Sequence, residues 1–590
     1  LHKKLAQVVF ILVSVILLLV QLALSEYFIT TLVPLGADLW GYSIVDIRQT
    51  VGASGGVKSA MILRILAMLS LLSTSFIYLP KKVKVRGWPL FVFFLAFILV
   101  FTTEVSKMII QWLPGREHSN NISLNKSQYF LTASWKHFFP QRLSNDIYSD
   151  HYSADAQQFT YKYIDENAYP FLHSVDSSKD VLSPYFTPSE TPPNIVILLI
   201  EGLGRAFSNK GAYLGSFTPF IDSLSGHSLY WENMLSESGR TFAVLPSLLS
   251  SMTFAKNGFS ELGEDMPPHL SLLNLLKHNG YKTAFYYGGD SHFDNMDLYL
   301  KKNAIDEIHD EKTFPQGYTK MPAQNGFSWG YGDKELFRHF LQAQPATNQP
   351  HLSVVLTVST HSPFQINEQD RYLARMETWM NQLGLTEKQK KEGRRFGQQY
   401  ASILYADDAV RDFITQYKNR PDFANTVFLL TGDHRMPEIP MSTKIDRYHV
   451  PMLIYSQKLA RVAKFSAIST HFDITPSLLA WLKKSHHLQL PDTVAWMGNG
   501  LDTVRQFRNI HAYPIMQTKT ELIDFVMGDY LLNGNDLYKI GSNLNLEPDA
   551  NEARKNEMRA AFNRFKTKNE HFLQNRKLLP DSLLQQYAPR

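Results

Sequence analysis

The feature that most limits how this chain can fold is a set of fully apolar runs bordered by a carboxylate, a hydroxyl or an imidazole. The motifs are NIVILLIEG with Glu201, SGRTF with Thr241, VSTHSPF with His361 and VFLLTGDHR with Asp433 and His434. A run such as Asn194–Ile200 is too apolar to be anything but a buried strand, and a buried strand of this kind belongs in a helix-covered sheet. Glu201 then emerges at the carboxyl edge of that sheet, where open α/β folds place their ligands. Two such strands, ending in Glu201 and in Asp433-His434, can bring oxygen and imidazole ligands together although more than 230 residues separate them.

Further apolar runs repeat the pattern at Thr283–Tyr287, Leu352–Val358, Thr426–Leu430 and Pro451–Tyr455, with helical patterns between them. The alternation predicts an α/β domain with a largely parallel sheet covered by helices. A proline-rich hinge, SPYFTPSETPPN, precedes it. We therefore divide the chain into a membrane domain (1–112), a helical connector (113–193), an extracytoplasmic catalytic domain (194–545) and a charged helical tail (546–590).

The membrane assignment rests on three runs, at about 5–25, 60–79 and 88–104. Leu5–Ser25 is uncharged over 21 residues, long enough to cross a bilayer at about 1.5 Å per residue. Lys81, Lys82, Lys84 and Arg86 crowd the loop between the second and third runs. The positive-inside rule makes that loop cytoplasmic, with Lys3 and Lys4 on the same side. Everything after about residue 112 is then delivered outside the cytoplasm. The expected location is a bacterial cytoplasmic (inner) membrane, multi-pass, with the catalytic domain on the periplasmic side.

Cysteine is absent, which excludes disulfides, thiolate zinc sites and a cysteine nucleophile. A net charge of +5 over 590 residues, with no dense basic tract, gives no support to nucleic-acid binding. The candidate chemistry lies instead in the strand-end residues. Glu201 alone reads as an exposed loop carboxylate, but Gly202 and Gly204 allow close backbone approach, and Arg205 adds positive charge. Asp433-His434 offers a carboxylate and an imidazole side by side, a suitable pair for a divalent cation. Thr241 stands at the start of an apolar helical pattern. It reads either as a plain N-cap or as a nucleophile, and a threonine hydroxyl needs a nearby metal to lower its pKa before it attacks. His361 could donate a proton or hydrogen bond to a phosphate oxygen or leaving group. His449 and His471 read as structural or as pocket-lining.

Taken together, these motifs, with TPFIDSL, GRTFAVLPSLLSS, YADDAVRDF and DITPSLL, resemble the lipoteichoic acid synthase group of the alkaline phosphatase/sulfatase superfamily. The resemblance implies a mixed sheet sandwiched by helices, preceded by transmembrane helices. It implies one divalent ion, manganese in the first place with magnesium or zinc as alternatives, held by Glu201, Thr241, Asp433 and His434. It also implies a phosphothreonine intermediate at Thr241 and a substrate contact at His361. Phosphoglycerol-type head groups would pass from a phospholipid donor to a lipid or glycan acceptor at the membrane. Arg240, Tyr287, Asp290, His292 and His449 are the candidates for substrate contact. Two positions depart from the family. Tyr287 stands where the synthases have a histidine, and Met296, in FDNM, where they have an arginine. Both are phosphate-gripping positions, so a single transfer is expected rather than polymerisation.

Rival readings were weighed on the same residues. A sulfatase needs Cys or Ser in a C/S-x-P-x-R context; Thr-Phe-Ala-Val-Leu at residues 241–245 does not provide it. A phosphoethanolamine transferase or a phosphodiesterase would use the same threonine and metal. A non-catalytic lipid-binding or regulatory membrane protein on this fold would be expected to lack a ligand, and all four are present.

Overall fold

The structure, a computed structural model, describes residues 2–42, 121–139, 161–175, 180–324, 326–520 and 522–588, with scattered residues between 44 and 92. It divides into two units, Leu1–Gln141 with Pro437–Lys444, and Arg142–Met436 with Ile445–Arg590.

In the first unit the apolar N-terminal run forms helix α1, His2–Thr31. A second helix, α2 (Lys126–Phe138), is capped by Asn125, whose side chain accepts from the Gln128 N–H. Among the described residues no helix is long and apolar enough to cross a membrane. The side chains of residues 2–11, 13 and 14 of α1 lie outside the described residues, and so do half of the second apolar run, nearly all of the third and the basic loop between them.

The second unit is organised by a nine-stranded sheet. Its strands are β1 (Asn194–Ile200), β2 (Leu229–Leu235), β3 (Lys282–Tyr287), β4 (Glu307–His309), β5 (His351–Leu356), β6 (Thr426–Gly432), β7 (His449–Ser456), β8 (Ala463–Phe465) and β9 (Ser469–Thr470). The order across the sheet is β9-β2-β7-β6-β1-β5-β3-β4, with β8 also paired to β2. Strands β6, β1, β5, β3 and β4 run parallel. Every residue of β1, β5 and β6 is buried, which explains their uninterrupted apolar sequences.

The sheet is largely parallel, as expected, and a single antiparallel strand makes it mixed. Strand β7, read in the sequence as one more parallel strand, pairs antiparallel with both β6 and β2. The chain returns from β6 to β7 through residues 433–448, whose only regular element is a short 3-10 turn, Ile445–Tyr448. A parallel return would need a crossover across the sheet face, usually a helix, and this connection contains none. Two antiparallel pairings in succession make β2 parallel to β6 again. The carboxyl ends of β2, β6, β1, β5 and β3 therefore all face one edge.

Helices cover this sheet. They include α3 (Val244–Ser250), α4 (Leu272–His278), α5 (Met296–Lys302), α6 (Asp333–Ala343), α7 (Gly397–Tyr417) and α8 (Ile474–His486). Helix α4 carries a reciprocal capping box between Ser271 and Asn274. The long α7 buries an aromatic and aliphatic face that includes Tyr400, Leu404, Val410 and Phe413.

A second sheet follows, which the sequence reading did not foresee. It is an antiparallel five-stranded meander of β10 (Ala512–Ile515), β11 (Asp524–Met527), β12 (Tyr530–Asn533), β13 (Asp536–Ile540) and β14 (Leu546–Pro548). Its inner face (Ile515, Val526, Leu531, Ile540) packs with Leu235 at the end of β2 and with Tyr448 before β7. Helix α9 (Glu552–Asn575) follows and buries Phe562, Phe565 and Phe572. In the stretch read as a helical connector, 126–138 is helical. Between 161 and 193 the described residues hold only the short strand His173–Ser174 and one 3-10 turn.

Candidate metal and nucleophile site

At the shared strand edge the structure brings together Glu201, Thr241, Asp433 and His434. Thr241 Oγ1 lies 2.8 Å from Asp433 Oδ2, 3.1 Å from Glu201 Oε2 and 3.4 Å from His434 Nε2. His434 Nε2 is 3.4 Å from Asp433 Oδ2 and 3.6 Å from Glu201 Oε1. Four donors bound tetrahedrally to one ion at about 2.1 Å stand roughly 3.4 Å apart. The observed separations scatter around that figure, and one donor atom each from Glu201, Asp433 and His434 falls within 4.8 Å of the others. Two carboxylates, a hydroxyl and an imidazole are a donor set suited to a divalent cation.

Each donor is aimed by its surroundings. The Glu201 backbone N–H donates to Thr357 Oγ1 at 2.9 Å, and the Thr360 hydroxyl donates to the Glu201 carbonyl. Asp433 Oδ1 accepts from the N–H groups of Gly202 and His434, both at 2.8 Å. That leaves Oδ2 for the cluster. Gly202 has a φ of 65°, a conformation that favours glycine and that turns its N–H toward Asp433. His434 Nδ1 sits 3.0 Å from the Arg435 carbonyl. A carbonyl only accepts, so Nδ1 carries the proton, and the lone pair on Nε2 faces the other three donors. Burial pushes the His434 imidazole below its ordinary pKa, which keeps it neutral and able to ligate.

Thr241 is not an N-cap. Arg240 occupies the N-cap position of a 3-10 turn, Thr241–Ala243, with no side-chain cap bond, and α3 follows. The threonine hydroxyl is turned to the carboxylates instead. Glu201, Asp433 and His434 are buried, whereas Thr241, Arg240 and His361 are partly exposed. The cluster therefore opens outward through these three.

His361 follows β5 and packs on Trp329, with ring centroids 4.3 Å apart. Its Nδ1 is 3.0 Å from the Ser362 carbonyl, so Nε2 is an acceptor in the neutral ring. Burial pushes this imidazole down to about 4, and Arg240 and His434 press it the same way. At neutral pH the His361 ring is thus neutral, with Nε2 free to accept a hydrogen bond. The Arg240 charge is felt by both His361 and His434, so a cation stands beside the nucleophile.

The remaining candidates separate. Tyr287 is buried at the end of β3. Burial raises its phenol well above the usual pKa, and Glu201, Asp294, Asp290 and Glu311 add to the rise. Asp290 and His292 form a more exposed cluster, with His292 Nδ1 2.9 Å from Asp290 Oδ1. Together with Asp310 they could hold an ion, but Lys312 Nζ already lies 3.0 Å from Asp290 Oδ1 and 3.3 Å from His292 Nδ1. His449, opposite Leu235 at the same edge, is 2.7 Å from the Glu232 carbonyl through Nε2. Met296 is buried, so its side chain cannot meet a phosphate. Arg205 is buried and committed to the carbonyls of Glu232, Ser208 and Lys210; it supports the loop instead of charging the site. His471 is buried, with Nε2 3.2 Å from Thr431 Oγ1.

Sequence reasoning missed Thr357 and Thr360, the two hydroxyls that hold Glu201, because LTVSTH reads simply as strand and turn. It also missed Arg447, whose side chain a Cβ on Gly239 would strike at 2.3 Å and whose charge reaches His434.

Residues 193–484 match the sulfatase family. Among curated proteins, phosphoglycerol transferase I of Citrobacter koseri is 22% identical over 275 residues, covering 44% of this chain and 34% of that protein. Phosphoglycerol transferase I of Salmonella paratyphi B is 22% identical over 273 residues, covering 44% and 33%. The chain thus spans about a third of the length of these relatives. Among solved structures, an alkaline phosphatase superfamily protein from Vibrio parahaemolyticus has a TM-score of 0.55 at 20% identity, covering 75% of this chain and 98% of that one. A lipoteichoic acid synthase from Listeria monocytogenes has a TM-score of 0.51 at 18% identity, covering 68% and 96%. Both likenesses are of fold.

Proposed function

We propose that this chain, whose residues 193–484 match the sulfatase family, is a membrane-anchored phosphotransferase of the lipoteichoic acid synthase-like group. It moves a phosphoglycerol-type head group from a phospholipid to a lipid or glycan acceptor on the extracytoplasmic side. The observation that carries this reading is Thr241 Oγ1 lying within 3.4 Å of three ligating atoms that come from the ends of two neighbouring strands.

Glu201, Thr241, Asp433 and His434 would hold one divalent ion, manganese in the first place. When bound, the ion supplies Lewis acidity to phosphoryl oxygens and lowers the pKa of the threonine hydroxyl. Thr241 Oγ1 is the nucleophile, its proton aimed at Asp433 Oδ2. Attack on the head-group phosphorus forms the Thr241 Oγ1–P bond and breaks the bond to the diacylglycerol oxygen, which leaves and gains a proton. An acceptor hydroxyl then attacks the same phosphorus and releases Thr241. His361 Nε2, unprotonated at rest, is placed to take the acceptor's proton in this second step. Arg240 contributes positive charge where the phosphate gathers negative charge.

Transfer to a single acceptor, rather than growth of a long polyanion, follows from the head-group side. Tyr287 and Met296 replace two phosphate-gripping residues of the family. Asp290, Asp294 and Glu311 lie around Tyr287, each paired with a lysine (Lys312, Lys519 and Lys320). Phosphoethanolamine transfer, which would use the same threonine and metal, is the second reading.

The test is lipid mass spectrometry after incubating the purified protein and manganese with phosphatidylglycerol, and separately with phosphatidylethanolamine. Diacylglycerol plus a singly modified acceptor is expected from the first lipid. A ladder of polyglycerophosphate would overturn single transfer, and turnover of phosphatidylethanolamine alone would select the second reading. Thr241→Ala should abolish diacylglycerol release while leaving the fold intact, because Thr241 makes no cap. Retained release would remove Thr241 as nucleophile.

A further inference from the structure

Helix α2 (Lys126–Phe138) carries a stripe of large apolar side chains that the described residues of its own unit leave more than half exposed. Leu131, Trp135 and Phe138 recur at the i, i+4, i+7 spacing of one helix face, and Phe139 follows directly. Their relative exposures are 55%, 66%, 56% and 60%. The Trp135 and Phe139 rings lie 4.4 Å apart. Exposed Thr132 and Lys136 mark the flank of the stripe.

The position of α2 along α1 says what covers this stripe. Ser127 Oγ bonds the Gln21 side chain, and Lys126 Nζ sits 4.1 Å from the Phe28 ring centroid. The segment between the two helices reinforces the packing: Trp40 Nε1 donates to Ser134 Oγ at 2.8 Å, and its ring lies 5.3 Å from that of Phe138. Helix α2 is thus pinned to residues 21–28 of α1. The uncharged run of α1 ends at Ser25, and its length of about 31 Å matches a hydrocarbon core of about 30 Å. Leu12, Ile16, Leu17 and Val20 of that run are themselves exposed. Residues 21–28 therefore straddle the boundary at the end away from Lys3 and Lys4, within roughly 6 Å of it on either side.

We infer that α2 docks on the extracytoplasmic leaflet of the bilayer, with Leu131, Trp135, Phe138 and Phe139 inserted at headgroup depth. Tryptophan and phenylalanine on one face with lysine at its flank is the composition of an interfacial helix. The inference rests on α1 being a membrane anchor. Its consequence is to hold the chain that leads to the catalytic unit against the leaflet from which a phospholipid donor is drawn.

The lack of cysteine makes the full chain directly suited to site-directed spin labelling. Single variants Ile16→Cys, Leu131→Cys, Trp135→Cys and Lys136→Cys would each be labelled with a nitroxide. Each would be reconstituted into phosphatidylcholine–phosphatidylglycerol vesicles and read as accessibility to oxygen against a water-soluble nickel chelate. The expected oxygen-to-nickel ratio is highest at 16, severalfold higher at 131 and 135 than at 136, and lowest at 136. A lipid-exposed label at 16 with 131 and 135 as water-exposed as 136 overturns the docking and leaves the anchor standing. Labels at 131 and 135 shielded from both reagents mean that protein covers the stripe, which also overturns it. Nickel-favoured accessibility at 16 removes the anchor reading and the docking with it. Leu131→Cys keeps the test decisive if Trp135→Cys fails to fold.

Discussion

Two clusters of charged side chains at the same sheet edge make an instructive contrast. Glu201, Asp433 and His434 stand directly at the ends of β1 and β6, neighbouring strands in the middle of the sheet, buried and held by backbone donors and threonine hydroxyls. Asp290, His292 and Lys312 lie just beyond β3, nearer the sheet margin, on loops where His292 is 61% exposed and an ammonium already sits among the acids. The first cluster is suited to holding a cation, because buried carboxylates side by side repel unless a cation joins them or one takes up a proton. The second satisfies itself in water. Rigid, dry strand ends are where the chemistry belongs; the adjacent loops are free to vary with the head group.

The largest expected effect that would break this contrast comes from the first cluster. Asp433→Asn should strip most of the bound metal. Turnover should fall by more than the roughly 10²–10³-fold that a single transition-state donor supplies. Metal analysis with steady-state kinetics checks it, and normal occupancy with normal turnover would reduce the cluster to a structural feature. Next in size is Thr357→Val, which leaves the buried Glu201 N–H without its acceptor. We expect a loss of about 1–3 kcal/mol in chemical denaturation and a metal affinity weaker by about 10–100-fold. An unchanged affinity would mean that Glu201 needs no such support.

A pH profile sharpens the buried side of the comparison. Burial pushes the imidazoles of His173, His269 and His351 down to about 4, and that of His449 to about 3. In the unfolded chain they titrate near 6.5. Between about pH 6.5 and 4 the unfolded state thus binds more protons, and stability falls as the pH drops through that window. Asp407, pushed up to about 7 by burial, works in the opposite sense, as do the buried Glu237 and Asp333, while His339, His361 and His471, also pushed down to about 4, add to the imidazole side. The denaturation midpoint should therefore drop on acidification through this range, less steeply in His449→Gln, whose amide can still reach the Glu232 carbonyl. Equal slopes for the two proteins would contradict the burial argument at His449.

The smallest effect belongs to the exposed cluster. Exposed ion pairs contribute about 0–1 kcal/mol, so His292→Ala should change kcat/KM by less than about fivefold. A loss beyond a hundredfold would mean that substrate binds there and that the contrast drawn above is false.

What the sequence alone determined is local. A run such as Ile195–Ile200, six residues without a polar side chain, has to be an interior strand, and the residue after it has to leave the sheet at its edge, so Glu201 and Asp433-His434 were legible as strand-end candidates. The absence of cysteine and the uncharged run at Leu5–Ser25 are equally plain, since they depend on composition and length. Tertiary structure decided which edge and which neighbours. Strand β2 escaped notice because Glu232 and Asn233 interrupt its apolar pattern, at the irregularity in pairing between Trp231 and Met234. Yet the direction of β2 delivers Thr241 to the ligands, and that direction follows from two antiparallel pairings through β7. Periodicity along a chain records which face of a strand is buried, but it carries no information about which strand lies beside it or which way that neighbour runs. The same holds for Thr357 and Thr360, whose hydroxyls acquire a role only when β5 is laid against β1.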